Sequence, residues 1–173
     1  PFKNDKFNTH RTGVSATHEW DFAPRSSLVT SVYYAKFDRD WWRQSSNSTD
    51  AQCGAGFVNA RLAGTVVDPS SCNSVQGRLR TYYNYGIVPR LTYAHSLGEL
   101  QAGFKLHHEE QDRQQINGTS PTARSGTTAE DNLRKTDAQS VYLANRFDIG
   151  NVTVMPIVRH ERIKSDRTNR LTG

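Results

Sequence analysis

The sequence contains no apolar run of about 18 residues or more, the length that a membrane-spanning helix requires. It is also poor in hydrophobic residues, which make up 35% of the chain, and its mean hydropathy is −0.75. A soluble domain of 173 residues needs a larger apolar share to build a packed core. These two shortages exclude a helical membrane protein and argue against an ordinary soluble globular domain.

The sequence also lacks the short motifs of common enzymes, since it has no glycine-rich phosphate loop and no recognised nucleophile or metal motif. His107 and His108 are adjacent on a predicted strand, so they point to opposite faces and cannot jointly hold one metal. We therefore expect no enzymatic activity. A haem or other metal chelate held by either histidine remains an alternative.

The charge balance is basic, with 22 Lys and Arg against 17 Asp and Glu, a net charge of +5 and a pI near 9.4. Such a balance suits nucleic acid, an anionic membrane surface or a small anionic ligand. Because the basic residues are spread over predicted strands and loops, we expect no nucleic-acid partner. The chain begins at Pro1 without methionine or an apolar leader, so we expect it to be a piece of a longer protein.

Only two cysteines are present, Cys53 and Cys72, in a stretch rich in small and polar residues. Their spacing favours a loop-closing disulfide, worth about 3 kcal/mol in the chain-entropy model, over two free thiols. A metal site would need further ligands, and the interval between the cysteines contains no histidine and no further cysteine. A disulfide implies an oxidising compartment.

Apolar and polar residues alternate with a period of two along much of the chain, most clearly around residues 81–93 and 99–110. This period indicates β-strands. The alternation predicts strands at residues 6–20, 27–42, 80–93, 99–114, 136–147 and 151–164.

The predicted connections alternate in length. Short turns at 21–26, 94–98 and 148–150 alternate with two long segments, 43–79, which contains the cysteine pair, and 115–135, which has no periodicity. In an antiparallel meander every second connection lies at the same end, so the short turns share one end and the long loops the other. Outer-membrane barrels have this asymmetry, and strands that exceed about 9–11 residues can cross the hydrocarbon. We predict an all-β, transmembrane, antiparallel up-and-down barrel.

Aromatic residues stand near the predicted strand ends. Trp41 and Trp42 lie where the second strand enters a long loop, with Tyr82, Tyr83 and Tyr85 at a similar level of the third strand, and Trp20 marks the opposite end. Tyr and Trp in these positions resemble the interfacial girdles of membrane barrels. They are equally consistent with the ordinary preference of aromatics for strands.

Arginines collect where the predicted strands meet the long loops. Arg80 has the polar-face parity of its strand, Arg39 and Arg43 lie at the corresponding end of the preceding strand, and Arg124 and Arg134 lie in or beside the next loop. Converging guanidinium groups would bind a polycarboxylate or a phosphate. The alternative is that these arginines pair with Asp38, Asp40 and Asp131, or contact lipopolysaccharide.

Two stretches carry a family resemblance: residues 80–90, which include Tyr-Gly-Ile-Val-Pro-Arg, and residues 142–173, which include Asn-Arg-Phe-Asp-Ile-Gly-Asn. The chain resembles the barrel of TonB-dependent outer-membrane receptors of the ferric citrate type. The resemblance implies about six strands of a 22-strand barrel in the bacterial outer membrane, with long loops extracellular and short turns periplasmic. The plug domain of that family is absent from this stretch.

The resemblance also implies a function, the uptake of ferric iron as a citrate or other siderophore chelate with energy from the TonB complex. Outer-membrane lipid and lipopolysaccharide would surround the barrel. Arg80 matches a ligand-binding arginine of the family, and Arg39 or Arg43 matches a second. The third has no exact counterpart, with Arg134 the nearest and Arg124 the fallback.

The loop after the second strand departs from the family pattern because it is longer and contains Cys53 and Cys72. Another siderophore therefore remains an alternative to citrate. A structural surface barrel or adhesin without a small ligand is a second class of function.

Overall fold

The computed structural model describes residues 3–44 and 51–172. These residues form seven β-strands and one α-helix, with short 3-10 turns at Ala51–Cys53 and Pro69–Ser71. In chain order the elements are β1 Lys6–Ala23, β2 Ser26–Arg43, α1 Ala55–Leu62, β3 Val75–His95, β4 Gly98–Gly118, β5 Thr127–Ile149, β6 Val152–Val154 and β7 Ile157–Asn169.

All seven strands join one antiparallel sheet in which each strand pairs with the next along the chain, from β1 to β6. β7 pairs with the remainder of β5, so β6 and β7 lie along the same neighbour. This up-and-down order confirms the predicted fold class. Among the described residues, no helix is both long and apolar enough to cross a membrane.

The strands are longer and the connections shorter than the sequence predicts. Each turn at one end has only two residues, 24–25, 96–97 and 150–151. At the other end, the expected long loop at 115–135 is wrong, because β4 and β5 extend through most of it and leave only residues 119–126. The first long connection, predicted at 43–79, covers residues 44–74 because β3 begins at Val75, and it contains α1. We name these the turn end and the loop end of the sheet.

The predicted strand at 151–164 is interrupted. Met155 and Pro156 separate β6 from β7, and β7 continues to Asn169. Proline has no N–H to donate to the ladder, which explains the break. Its carbonyl still accepts a hydrogen bond from the Asn145 N–H at 3.1 Å, so the segment stays against β5.

Side chains along each strand point alternately to the two faces of the sheet. The register between strands keeps each face continuous across the sheet. One face, here the arginine face, carries Arg39, Arg80 and Arg113. The other, here the apolar face, carries Val32, Ile87 and Leu106 in one row, and Leu28, Leu91, Ala102 and Leu143 in another. Since the apolar side of a membrane barrel faces lipid, the arginine face is the lumen side.

Aromatic residues border the apolar band on the apolar face. Tyr34, Tyr83 and Tyr85 lie toward the loop end, and Trp20 and Tyr93 lie toward the turn end. Tyr83 and Tyr93 are separated by about 33 Å of strand, which at a tilt of about 40° spans roughly 25 Å along a barrel axis. That height matches the apolar band of outer-membrane barrels.

Part of the predicted girdle is wrong. Trp41 has the parity of the arginine face, where Phe7 packs edge-on against it with ring centroids 5.9 Å apart. Tyr82 lies on the same face and contacts Phe37. Trp42 has the opposite parity but is buried at the loop end. Adjacent strand residues point in opposite directions, so consecutive aromatics cannot all belong to one girdle.

The loop-end connection at 44–74 is held by an internal disulfide and by a buried glutamine. Cys53 and Cys72 are bonded, which confirms the predicted disulfide. The Gln44 side-chain amide is fully buried and donates to the carbonyls of Pro69 and Cys72 at 3.2 and 3.1 Å. Its backbone N–H donates to the Asp5 carboxylate at 2.8 Å. The two ends of the connection are therefore held close to where β2 ends and β3 begins.

One aromatic ring crosses a neighbouring strand on the arginine face. Tyr33 on β2 reaches over Gly86 on β3, and its hydroxyl lies 2.6 Å from Nδ1 of His107 on β4. A Cβ atom at Gly86 would stand 2.5 Å from the Tyr33 hydroxyl oxygen. Only glycine leaves room for this bridge between β2 and β4.

Candidate ligand site on the arginine face

Three arginines stand side by side on the arginine face at the loop end. Arg39 on β2 is the register partner of Arg80 on β3, and Arg80 is the partner of Arg113 on β4. Direct cross-strand partners have Cβ atoms about 4.5–5.5 Å apart. Like charges at this spacing repel one another, so the row favours a bound anion.

Further arginines surround this row on the same face. Arg43 lies two residues beyond Trp41 on β2, with its guanidinium carbon 4.6 Å from the centroid of the Trp41 ring. Arg134 on β5 lies opposite Gln111, one row toward the turn end. In the described residues, the loop half of this face holds eight arginines: Arg11, Arg39, Arg43, Arg78, Arg80, Arg113, Arg134 and Arg167.

Arg124 lies apart from this group. Its guanidinium is 5.4 Å from the Trp42 ring centroid and donates to the carbonyl of Asn4 at 3.2 Å. Because Trp42 has the apolar-face parity, the structure puts Arg124 on the side of the sheet away from Arg80. The connection at 119–126 folds back over that side, which the sequence pattern does not indicate. Of the five arginines singled out from the sequence, four share one face.

Of the carboxylates that the structure describes, Glu130 on β5 is the closest to the arginine row. Its Oε1 lies 3.4 Å from Nη2 of Arg113 and its Oε2 lies 3.7 Å from Nη2 of Arg80. The buried Asn132 side chain donates to Oε1 at 2.9 Å and accepts from Nε of Arg167 at 2.9 Å. Glu130 thus links the row to a fourth arginine through Asn132.

Arg80 is almost enclosed, with 6% of its surface exposed. Its Nη1 donates to the backbone carbonyls of Leu79 and Gln114 at 2.9 and 2.8 Å. Its Nη2 is left facing Glu130. Arg80 is therefore a fixed positive charge at the floor of the site, and an anion approaching it also meets Glu130.

Within the part of the chain that the structure describes, several guanidinium donors of this group have no hydrogen-bond partner. The buried Nε atoms of Arg39, Arg113 and Arg134 are all unpaired. An unpaired buried donor is costly, and such groups in native proteins call for an explanation such as a bound ion or water. These three donors lie on one face, so they point to an anion as the missing partner.

The pKa values of two arginines reflect this crowding. Both lie beyond Tyr83, outside the apolar band. Burial lowers the pKa of Arg80, and the neighbouring positive charges of Arg113 and Arg39 lower it further, while Glu130 opposes them. Burial and the charges of Arg43 and Arg39 likewise lower the pKa of Arg78. Anion binding would relieve this strain on the charged forms.

The aspartates considered as alternative partners do not neutralise the arginine row. Asp38 lies on the apolar face and pairs with Lys36 at 3.0 Å, while the Thr81 hydroxyl donates to it at 2.9 Å. Asp131 on that face pairs with Arg170 at 3.5 Å. Asp40 has the same parity and one unpaired carboxylate oxygen. Among the described residues, the arginine row is left with Glu130 as its nearby acid.

The two adjacent histidines are separated as predicted. His107 lies on the arginine face, where Tyr33 bonds it and Glu109 is 4.0 Å away. His108 lies on the apolar face, 2.6 Å from Asp137 and stacked on Tyr85. Within the described ranges, no group of three or more metal-ligating side chains comes together.

Sequence reasoning missed Arg113 and Glu130. A signal for Arg113 existed, because the hairpin that pairs His95 with Gly98 also pairs Arg80 with Arg113 when residues are counted back from the turn. Glu130 could not be found in this way, since it lay in a segment interpreted as loop.

Fold and site together define a class of protein. An antiparallel sheet with an apolar band on one face and a charged, arginine-rich surface on the other is the wall of an outer-membrane barrel. The chain belongs to the family described as TonB dependent receptor-like, beta-barrel, which matches residues 1–173. Membership of this family implies a barrel in the bacterial outer membrane.

Two solved structures are similar in fold. The ferric citrate transporter FecA in its unliganded form has a TM-score of 0.76 and 20% identity, covering 98% of this chain and 23% of that one. BauA, the ferric preacinetobactin receptor from Acinetobacter baumannii, has a TM-score of 0.56 and 9% identity, covering 95% of this chain and 26% of that one. The chain thus spans about a quarter of either protein. No curated protein matches it.

Proposed function

We propose that this chain is part of the barrel wall of a receptor that takes up a ferric chelate across the outer membrane, with ferric citrate the first candidate. Arg39, Arg80 and Arg113 capture the anionic chelate, and Arg43 and Arg134 extend the site. Citrate carboxylates match the planar donor fork of arginine, so several such groups can bind one chelate. Support comes from the family and from two structural relatives named for ferric ligands.

The observation that carries this proposal is the row Arg39–Arg80–Arg113 with its unpaired donors. Evenly spread surface charge would be paired or solvated, whereas these guanidinium groups are crowded on the lumen side of one sheet. A ligand with several negative charges satisfies them at once. We infer that the loop end is extracellular and that the turn end is periplasmic.

The rest of the receptor is part of the same proposal. A barrel of about 22 strands surrounds a plug domain, the TonB complex supplies energy through that plug, and lipid and lipopolysaccharide contact the apolar face. The chain contributes the anion-binding wall. Its role is transport rather than catalysis.

A different siderophore is the second candidate. The connection at 44–74 lies at the loop end and is fixed by the Cys53–Cys72 disulfide. A fixed loop beside the arginine face restricts the shape of the ligand that can enter. Haem is less favoured, because His108 lies on the apolar face beside Asp137 and His107 on the arginine face is already bonded by Tyr33.

The first experiment is calorimetry of ferric citrate binding to the intact receptor, with iron-free citrate as the ligand control. Arg80→Ala removes the fixed charge at the floor of the site and should weaken binding at least tenfold, about 1.4 kcal/mol. Arg90→Ala is the matched control, since Arg90 is ten residues from Arg80 on the same strand and face, is exposed and lies toward the turn end.

A wild-type receptor that does not bind ferric citrate would remove citrate and leave the family assignment in place. Equal binding by wild type and Arg80→Ala would remove the arginine site. Equal losses in Arg80→Ala and Arg90→Ala would indicate a general effect of lumen charge rather than a local site.

A further inference from the structure

We propose that Glu130 is a built-in competitor of the anionic ligand, so that it sets the affinity and charge selectivity of the arginine site. This inference rests on the proposed function, in which the arginine row binds the ligand. Glu130 supplies a carboxylate to the same guanidinium groups that a bound carboxylate would use.

The contacts of Glu130 are those of a weak internal anion. Its oxygens stand 3.4 and 3.7 Å from the nearest guanidinium nitrogens, whereas strong charge-assisted hydrogen bonds of this type measure about 2.7–2.9 Å. The arginines are thus only partly satisfied. A ligand carboxylate that approaches to ordinary bonding distance would gain energy that Glu130 does not.

Glu130 is also placed to be exchanged rather than fixed as a structural partner. About a quarter of its side chain is exposed, while Arg80 is almost enclosed. Arg80 does not depend on Glu130 to stay in place, because two backbone carbonyls hold its Nη1. Displacement of the carboxylate would uncover Nη2 of Arg80 and Nη2 of Arg113 together.

Asn132 provides a resting contact for Glu130. Its amide donates to Glu130 Oε1, and its carbonyl oxygen is held by Arg167. A glutamine at position 130 keeps an oxygen that can accept this bond but removes the negative charge. The substitution Glu130→Gln therefore tests the charge while preserving the shape.

The charge balance predicts the direction of the effect. Three guanidinium groups and one carboxylate give the row a net charge of +2, and removal of the carboxylate raises it to +3. Because the contacts of Glu130 with the arginines are weak, their loss costs the site little stabilising energy. Multiply charged anions should then bind more tightly, and singly charged anions should gain less.

The test is calorimetry on the intact receptor, comparing wild type with Glu130→Gln and using ferric citrate, pyrophosphate and acetate as separate probes. We expect Glu130→Gln to bind ferric citrate and pyrophosphate at least tenfold more tightly, with a smaller gain for acetate. The matched control is Glu109→Gln, which removes a carboxylate on the same face that pairs with His107 at 4.0 Å and should change affinity less than twofold.

The outcomes separate the two proposals. If wild type fails to bind ferric citrate but Glu130→Gln binds pyrophosphate more tightly than wild type, the citrate assignment falls and the competitor remains. If wild type binds ferric citrate and Glu130→Gln binds it equally or more weakly, Glu130 is a scaffold for the arginines and the competitor proposal is overturned. Absence of binding to every probe in both proteins overturns both.

Discussion

The two faces of the sheet differ in how their charges are balanced over the loop half of the same strands. In the described residues the arginine face holds eight arginines around Glu130, whereas the apolar face, beyond its apolar band, carries both signs. Its acids are Asp38, Asp40, Glu110, Asp112, Asp131, Asp137 and Asp166, and its lysines are Lys6, Lys36, Lys135 and Lys164. Most of these acids have a partner on their own face, such as Lys135 for Glu110 at 3.1 Å. The difference shows that period-two alternation can build a ligand surface and a self-neutralised surface from one stretch of chain.

Reversal of one charge in the arginine row should break this contrast most strongly. Arg113→Glu would place a second carboxylate beside Glu130, and the row would fall from a net charge of +2 to zero. We expect ferric citrate binding to weaken by on the order of 100-fold, because like-charge contacts cost several kcal/mol. Calorimetry on the intact receptor measures this loss.

The neutral variant Arg113→Gln controls for misfolding and should give an intermediate loss. If Arg113→Glu folds with wild-type secondary structure and retains full affinity, Arg113 does not belong to the site.

The substitution Gly77→Ala, at the loop end of β3, should affect the apolar face alone. A Cβ atom at Gly77 would lie 2.7–2.9 Å from three atoms of the buried Trp42 ring. Gly77→Ala should therefore reduce the free energy of unfolding by roughly 1–3 kcal/mol through overpacking. Binding of ferric citrate should stay within about twofold, since the clash is on the apolar-face side. Urea unfolding of the detergent-solubilised receptor measures the first effect.

Gly13→Ala is the matched control, because its added Cβ would meet Ala35 and Tyr34 at an ordinary 3.7 Å. Equal stability of Gly77→Ala and Gly13→Ala would mean that the Trp42 ring moves aside at little cost.

The smallest effect is expected from a substitution among the charged residues of the apolar face. Arg170 pairs with Asp112 at 2.9 Å and with Asp131 at 3.5 Å, and these side chains are partly exposed. Exposed ion pairs contribute little, so Arg170→Gln should leave the urea midpoint and the ferric citrate affinity nearly unchanged. A loss of affinity comparable to that of Arg80→Ala would show that charge on both faces contributes to capture.

The sequence predicts the sheet best where it crosses the apolar band. There the alternation of apolar and polar residues is strong, and the hairpin between β3 and β4 follows directly from it. Beyond the band both faces are polar, as at residues 127–135, so the alternation of hydropathy disappears although the backbone ladder continues. For that reason the sequence pattern predicts a loop over a stretch that is paired strand.

The sequence predicts part of the candidate site. Arg39 and Arg80 have matching parity, and the structure makes them register partners. Arg124 could not be assigned to a face, because the path of a loop follows no period. Glu130 lies opposite Gln115 in the same register as Arg113, but hydropathy does not alternate in its segment, so the sequence pattern does not place it on a strand.

Gly86 bears on the site although it lies six residues from Arg80. The Tyr33 ring can cross β3 only where that strand has no side chain, and its hydroxyl then reaches His107. If β3 slipped by two residues, Asn84 or Val88 would come beneath the ring and the bridge would be lost. The glycine at position 86 thus fixes the relative register of three strands. This register places Arg39, Arg80 and Arg113 in one row.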